Sequence, residues 1–280
     1  MRPPFPYYGG KMSVADRIVE LLPAHRHYVE PFAGSLSVLL AKVPTPFETV
    51  NDIHAELMTF WRVLRDRPVE LARACALTPH SRAEYAAAAE LTVGDDLETA
   101  RRVWVRLSQS RSGLLRKTGW RYYIDPAGCS SSMPDYLDGY VGRLMAAAER
   151  LHAVSLECRP AMEVIAAYGR IADVCLYVDP PYLGSTRNGT NYAHEMASTA
   201  EHEQLLDALL HARSAVVLSG YASDLYDTAL AGWSRVEFPA FTGNSGGRAA
   251  GSRTEVVWSN REVGNPTLDF SADVYAKEVR

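Results

Sequence analysis

The four residues Asp179-Pro180-Pro181-Tyr182 directly follow an apolar run, residues 173–178, and combine groups that could activate a planar amine. An exocyclic nucleobase amine is a poor nucleophile, because its lone pair is delocalised into the ring. The Asp179 carboxylate and the Pro180 carbonyl could accept its two N–H bonds and localise that lone pair on nitrogen. The prolines fix φ and donate no N–H, and Tyr182 offers a face on which a base can stack. The alternative is a proline-rich turn with an aromatic side chain packed beneath it.

A second polar cluster follows the first predicted strand, in the stretch 25–43, which has the pattern strand, tight turn, helix. Gly34 lets a ligand approach the backbone closely, and we expect Ser35 to cap the following helix. Asp52 ends the next predicted strand, residues 46–52, at the spacing from Gly34 typical of an acid that binds ribose hydroxyls. The pattern indicates a nucleoside-type cofactor, although a glycine turn alone is a weak signal.

Strands alternating with helices predict the fold that positions these clusters. Residues 214–221 resemble a further buried strand, and Ser198 with Glu201 fits a capping box at the start of a helix. A late antiparallel pair is predicted over 234–241 and 253–260. The pattern predicts a doubly wound, Rossmann-like α/β sheet, in which ligands bind at the carboxyl ends of the strands. The mostly helical middle of the chain is interpreted as an insertion.

Charge is distributed unevenly along the chain of 280 residues. The net charge of −4 argues against a nucleic-acid partner, but residues 101–123 carry seven Lys and Arg and no acid. The same stretch contains Trp104, Trp120, Tyr122 and Tyr123. Basic residues interleaved with aromatic ones suit a surface that contacts phosphates and bases. A solvated basic helix and loop is the alternative.

Composition excludes several other classes of protein. The apolar fraction of 47% and charged fraction of 22% are ordinary for a globular protein, and no stretch reaches the length of a membrane-spanning helix. The N-terminus has no apolar core typical of a signal peptide. The four cysteines show no C-x-x-C spacing, so we expect reduced thiols in a cytoplasmic protein and no metal site.

The order of the motifs resembles that of the Dam-like group of DNA adenine-N6 methyltransferases, which use S-adenosylmethionine. The resemblance covers nearly the whole chain and rests on PYYGGK (6–11), EPFAGS (30–35), ND (51–52), DPPY (179–182), SGY (219–221) and RTEVVW (253–258). It implies a site-specific enzyme of the kind found in restriction–modification, which flips an adenine out of double-stranded DNA and methylates its N6 amine. It also implies monomeric action without a metal or a membrane, with S-adenosylhomocysteine as the second product.

The resemblance implies specific roles for individual residues. Asp179, Pro180 and Tyr182 would be catalytic, with Tyr182 stacking on the flipped base. Lys11 would contact the cofactor carboxylate, and Asp52 its ribose. The cofactor-binding set implied is Tyr7, Lys11, Phe32, Gly34, Ser35, Asp52 and Asp179.

The resemblance also divides the chain by function. Residues 1–58 and 155–280 would form the cofactor-binding catalytic domain, and 59–154 the target-recognition insertion. The loop Gly243–Gly251 is predicted to order over DNA or the pocket. The DNA-contacting set implied is Arg111, Arg116, Lys117, Arg121 and Tyr221, with Arg116 in a GLLR stretch and Tyr221 shaping the base pocket.

Three other functions remain open at this point. The corner of N4-cytosine methyltransferases usually begins with serine, which Asp179 disfavours. That of protein-glutamine methyltransferases usually begins with asparagine, and this function leaves the basic, aromatic segment 101–123 unexplained. The third is a DNA-binding protein that has lost turnover. It is motivated by Leu36, where many relatives have glycine, and by Pro160, near which relatives carry an acid that meets the cofactor's adenine.

Overall fold

A computed structural model describes residues 1–90, 94–116, 118–122, 132–183, 196, 198–240 and 253–263. Within them, seven strands form one sheet: β1 (His27–Glu30), β2 (Phe47–Asn51), β3 (Val154–Glu157), β4 (Val174–Val178), β5 (Ala215–Gly220), β6 (Ser234–Ala240) and β7 (Arg253–Ser259).

The spatial order of the strands is β3-β2-β1-β4-β5-β7-β6. Strands β1 to β5 pair in parallel, whereas β7 is antiparallel to both β5 and β6. The doubly wound, Rossmann-like α/β fold and the late antiparallel pair predicted from the sequence are confirmed. The strand order changes direction between β1 and β4, which is where open α/β sheets bind ligands.

Helices cover both faces of the sheet. Their bounds are α1 (Ala15–Glu20), α2 (Ser37–Ala41), α3 (Ala55–Asp66), α4 (Pro68–Ala76), α5 (Arg82–Ala88), α6 (Asp96–Ser108), α7 (Met133–Val141), α8 (Leu144–Leu151), α9 (Ala161–Tyr168), α10 (Thr199–Leu210) and α11 (Asp224–Ala229). Helix α10 begins with the predicted capping box of Ser198 and Glu201. None of the helices in the described part of the chain is long and apolar enough to cross a membrane.

The helical middle of the chain is the crossover from β2 to β3, which pair in parallel. Its helices bury Trp61 and Trp104 completely and share one hydrophobic cluster with Tyr28 and Tyr177 of the central strands. A second cluster covers the other face, where α9, α10 and α11 pack. Helices α3 to α8 share a core with the sheet, and the boundaries predicted at 59 and 154 fall inside α3 and at the first residue of β3. The division into two domains and the DNA-recognition role of the insertion stay predictions.

The expectation that Ser35 caps the helix after β1 is wrong. Helix α2 begins two residues later, and its N-cap position is Leu36, which has the left-handed φ of 55° and gives no side-chain cap. The Leu36 N–H instead donates to the Ala33 carbonyl, at 2.8 Å, so a tight turn must close before the helix can start. The Ser35 hydroxyl lies 2.9 Å from the Ser37 hydroxyl.

Candidate active site

The carboxyl ends of β1, β2 and β4 open into a cavity of about 560 Å³. This volume lies in the range of sites that hold one cofactor-sized molecule. Every predicted cofactor-binding residue borders it: Tyr7, Lys11, Phe32, Gly34, Ser35, Asp52 and Asp179. The sheet therefore brings together residues from the N-terminal segment, two strand ends and the Asp179 corner.

The turn after β1 depends on Gly34. Its φ of +48° is in the left-handed region, and a Cβ there would lie 3.1 Å from Cε1 of Tyr7. Tyr7 thus packs directly against the turn. The Gly34 carbonyl accepts a hydrogen bond from Trp61 Nε1, at 3.1 Å, which ties the turn to helix α3. The missing side chain leaves this part of the cavity wall as bare backbone.

Asp52, which was predicted to bind ribose, links the segments that follow β1 and β2. Its Oδ2 accepts from the Gly34 N–H at 3.0 Å, and its Oδ1 accepts from the His54 N–H at 2.9 Å. The carboxylate therefore orients the glycine turn and the start of α3, in addition to lining the cavity. Its contact with ribose stays a prediction.

Asn51 is a structural residue of the site that the sequence analysis did not single out. Its completely buried side chain donates to the Pro31 carbonyl at 2.9 Å and to the Arg159 carbonyl at 3.0 Å. Its Oδ1 accepts from the Arg159 N–H at 3.0 Å. These three hydrogen bonds join the ends of β1, β2 and β3. Pro160, which follows this junction, borders the cavity at the start of α9.

A network of charges surrounds Asp179 at the end of β4. Lys11 Nζ lies 2.7 Å from Asp179 Oδ1 and 3.6 Å from Glu255 Oε1, and it donates to the Gly9 carbonyl at 3.1 Å. Lys11 was predicted to contact the cofactor carboxylate; it lines the cavity, but its ammonium group faces two carboxylates of the protein.

The charge network changes the acidity of Asp179. Burial, with a smaller contribution from the charge of Glu255, raises the pKa of its carboxyl to about 6 against the lowering effect of Lys11. A carboxylate with a pKa near 6 is still ionised at neutral pH, so it can accept hydrogen bonds from an amine. Pro181 borders the cavity beside it, while Pro180 is buried and is not among the lining residues.

Glu30 is a second buried acid near this corner, at the end of β1. Its Oε1 accepts from the Tyr28 hydroxyl at 2.6 Å and from the Leu39 N–H at 2.9 Å. Burial is the main cause that raises its pKa to about 8, and the charge of Asp179 adds to the effect. Glu30 is therefore mainly neutral at pH 7, so Asp179 is the ionised member of this pair of acids.

Tyr182 and Tyr221 contact each other near the Asp179 corner; their role as a base pocket stays a prediction. Their ring centroids are 4.3 Å apart at an angle of 64°, and the Tyr182 hydroxyl donates to Glu255 Oε1 at 2.6 Å. Lys11 Nζ lies 4.7 Å from the centroid of the Tyr182 ring. The structure thus places both predicted base-pocket tyrosines at the carboxyl edge of the sheet.

The predicted DNA-contacting arginines lie on a separate surface, around a turn that follows α6. Ser110 and Trp120 form an isolated antiparallel bridge, and Arg111 and Arg116 between them are exposed. Arg121 lies over the ring of Tyr136, 5.2 Å from its centroid. Lys117 and the loop Gly243–Gly251 lie outside the described residues.

This turn is attached to the cavity through the N-terminal segment. The Tyr8 N–H donates to the Gly113 carbonyl at 2.9 Å, and a Cβ on Gly113 would lie 2.9 Å from the Pro6 carbonyl oxygen. The arginine-bearing turn therefore packs against the same segment that supplies Tyr7 and Lys11 to the cavity. Among the described residues, no group of three His, Cys, Asp or Glu side chains is arranged to hold a metal ion.

Comparison with known proteins assigns the family. The model of the D12 class of N6 adenine-specific DNA methyltransferases matches residues 7–237, which is most of the chain. The chain belongs to this class. The resemblance to DNA adenine methyltransferases inferred from the motifs is confirmed, and the protein is an adenine-specific DNA methyltransferase with DNA as its substrate. The N4-cytosine, protein-glutamine and non-enzyme alternatives are correspondingly disfavoured.

Individual relatives agree with the D12 assignment. The type II methyltransferase M1.LlaDCHI of Lactococcus lactis subsp. cremoris is 27% identical over 242 residues, which cover 80% of this chain and 83% of the relative. The DNA adenine methylase of Vibrio cholerae is 27% identical over 197 residues, 66% of this chain and 67% of the relative. A SAM-dependent methyltransferase from Agrobacterium tumefaciens gives a TM-score of 0.36 at 12% identity, covering 89% of this chain and 61% of that structure. The assignment rests on the family match, not on this distant structure.

Sequence reasoning missed Glu255, Glu30 and Asn51. Glu255 directly precedes the apolar residues Val256 to Trp258 of β7, and Glu30 follows Tyr28 and Val29 at the end of β1; an acid beside such a run is the signal that points to a buried partner. Asn51 precedes Asp52 in a motif that was noted for the acid alone. Each of the three is buried, and Glu255 and Asn51 are hydrogen bonded to residues distant in sequence.

Proposed function

We propose that the protein transfers a methyl group from S-adenosylmethionine to the N6 amine of an adenine flipped out of double-stranded DNA, at a specific sequence. The observation that carries the proposal is the position of Asp179, whose carboxylate borders the same cavity as the Gly34 turn and Asp52. The proposed amine acceptor and the proposed nucleoside-type site thus border one cavity, in a chain of the adenine-specific family.

The residues that border the cavity fit S-adenosylmethionine. The bare backbone at Gly34 and the adjoining ring of Tyr7 can lie against the body of such a ligand, and Asp52, which lines the same cavity, would accept hydrogen bonds from its ribose hydroxyls. Phe32, Pro160 and Met162 offer an apolar wall for its adenine. When bound, the cofactor would supply a methyl group carried on a sulfonium sulfur: the N–C bond would form as the S–C bond breaks, the sulfur would leave as a neutral thioether, and the methylated amine would lose one proton to solvent.

The chain's own part in the reaction is positioning and polarisation. Asp179 accepts one N–H of the target amine and draws the nitrogen lone pair out of the ring; the Pro180 carbonyl accepts the other. Tyr182 stacks on the flipped base, which helps to repay the few kcal/mol that unstacking costs. Holding the amine in line with the methyl group then supplies most of the rate enhancement.

DNA engagement is assigned to the exposed turn after α6. Arg111, Arg116, Lys117 and Arg121 approach the duplex, where arginines can read guanine edges in the major groove and lysines hold phosphates. The contact between Tyr8 and Gly113 supports coupling between this turn and the cavity. We further propose that the protein acts as a monomer in the cytoplasm.

Incubation of unmethylated DNA of mixed sequence with the protein and S-adenosylmethionine tests this function. The DNA is digested to nucleosides, which are identified by mass spectrometry. The expected product is N6-methyldeoxyadenosine, and its yield should fall when single-stranded DNA replaces the duplex. N4-methyldeoxycytidine as the main product, or no product together with no calorimetric binding of S-adenosylmethionine, would refute the proposal.

A further inference from the structure

Glu255 is a buried glutamate of β7, a strand that is separated from the switch point of the sheet by β4 and β5. It contacts the active-site residues. It is 3% exposed and sits next to buried Val256 and Val257. A buried carboxylate is costly unless it is paired and hydrogen bonded. Its oxygen accepts from the Tyr182 hydroxyl at 2.6 Å and lies 3.6 Å from Lys11 Nζ. Both of its partners are predicted site residues.

Glu255 competes with Asp179 for the same ammonium group. Lys11 Nζ is 2.7 Å from Asp179 and 3.6 Å from Glu255, so two carboxylates share one cation. If Asp179 were the only acid beside Lys11, its carboxylate would be fully committed to the ion pair. A second anion lets Lys11 remain bound while an oxygen of Asp179 turns to accept an N–H of the substrate.

Glu255 also fixes the ring of Tyr182. The hydroxyl is anchored by the carboxylate, and the ring is held on one side by Tyr221, whose centroid is 4.3 Å away. Lys11 lies over the ring at 4.7 Å. A tyrosine held both at its hydroxyl and at its ring keeps one orientation, which reduces the entropy lost when a base stacks on it.

We propose that Glu255 is a positioning residue of the active site, which shares Lys11 with Asp179 and anchors the Tyr182 hydroxyl so that the amine acceptor and the stacking ring are preorganised. The proposal rests on the proposed function, because it gives a role to the same amine-binding site. It adds a third ionisable residue, from β7, to Lys11 and Asp179 at the end of β4.

The test compares Glu255→Gln with the native protein. Glutamine keeps an oxygen that can accept from Tyr182 but removes the charge that Lys11 and Asp179 experience. The carboxyl titration of Asp179 is followed by NMR in the free protein, and the pH dependence of kcat/KM for DNA methylation is measured in parallel. Among the residues that the structure describes, the ionisable groups that interact electrostatically with Asp179 are Lys11, Glu30, Tyr177, Tyr182, Tyr226 and Glu255.

Removal of the Glu255 charge should move the Asp179 titration and the acidic limb of the rate profile about one unit to lower pH. At the plateau, kcat should fall by tenfold or more, because Lys11 then commits fully to Asp179. Tyr182→Phe, which deletes only the anchored hydroxyl, should lower kcat, and its effect should be less than additive with Glu255→Gln.

The matched control is Glu237→Gln, since Glu237 is exposed on the neighbouring strand β6 and pairs with Val256 of β7. It should leave the titration of Asp179, kcat and the pH profile unchanged. If Glu255→Gln is folded and its Asp179 titration and kcat match those of the native protein, the positioning role is wrong. The NMR titration decides this even if native protein yields no N6-methyldeoxyadenosine, an outcome that would overturn only the proposed function.

Discussion

Replacement of Gly34 by alanine tests whether the bare turn after β1 forms the cofactor site. The φ of +48° is left-handed, which costs a residue with a Cβ about 1–2 kcal/mol. Alanine also restricts the unfolded chain, which returns about 0.4–1 kcal/mol. The new Cβ would be 3.1 Å from Cε1 of Tyr7, so the ring must shift by a few tenths of an ångström. Net destabilisation should therefore be about 1 kcal/mol.

The effect on the cofactor should be larger than the effect on stability. The added methyl group enters the wall of the cavity and displaces Tyr7, which we place against the cofactor. We expect Gly34→Ala to weaken S-adenosylmethionine binding by about tenfold or more, equivalent to at least about 1.4 kcal/mol.

Isothermal titration calorimetry with S-adenosylmethionine and urea unfolding measure the two effects separately. The control is Gly232→Ala, because a Cβ at Gly232 would meet no atom within 4 Å and the residue has no left-handed φ. It should change neither affinity nor stability by more than a few tenths of a kcal/mol. A Gly34→Ala protein that binds S-adenosylmethionine with native affinity would refute the placement of the cofactor against this turn.

Three further outcomes are expected. Asn51→Ala leaves buried carbonyls of Pro31 and Arg159 without a donor and should lower the free energy of unfolding by about 2–4 kcal/mol in urea titrations; a loss below 1 kcal/mol would contradict this role. Glu30→Gln removes an acid whose folded pKa, about 8, exceeds its unfolded value. The stability that this difference contributes to the native protein is fully present below pH 4.5 and is lost as pH rises toward 8. The variant should not show this loss, which amounts to up to about 1.4 kcal/mol per pH unit in the native protein. Parallel curves of unfolding free energy against pH for the two proteins would contradict the prediction. Arg116→Ala should weaken DNA binding and relax site choice while S-adenosylmethionine affinity stays native; unchanged DNA binding would remove Arg116 from the interface.

Local patterns predicted the parts of the site that lie on single strand ends. The apolar run before Asp179 forms β4, which is buried throughout, and the Asp179 corner follows it. The spacing from Gly34 to Asp52 led to the prediction of a ribose-binding acid, which stays a prediction; the structure adds a hydrogen bond of 3.0 Å between the Gly34 N–H and the Asp52 carboxylate. These features were accessible because the carboxyl ends of neighbouring parallel strands meet at one edge of the sheet.

Features that depend on contacts between residues distant in sequence could not be predicted from local sequence patterns. Glu255 lies 73 residues from Tyr182, and only the insertion of β7 between β5 and β6 brings its side chain to Tyr182 and Lys11. Strand β3 was not predicted, because its four residues are partly exposed and show no clear period. The cap assigned to Ser35 failed because a left-handed Leu36 closes the turn first.

The proposed mechanism depends on activation of the target amine by the Asp179 carboxylate. Single-turnover methyl transfer to DNA, at saturating S-adenosylmethionine, tests it with Asp179→Asn and Asp179→Ala. Loss of an electrostatic contact made in the transition state should slow the chemical step by about 100-fold or more for both variants. Folding, measured by urea unfolding, and DNA affinity should stay close to native. A variant that transfers the methyl group at a near-native single-turnover rate would contradict the mechanism.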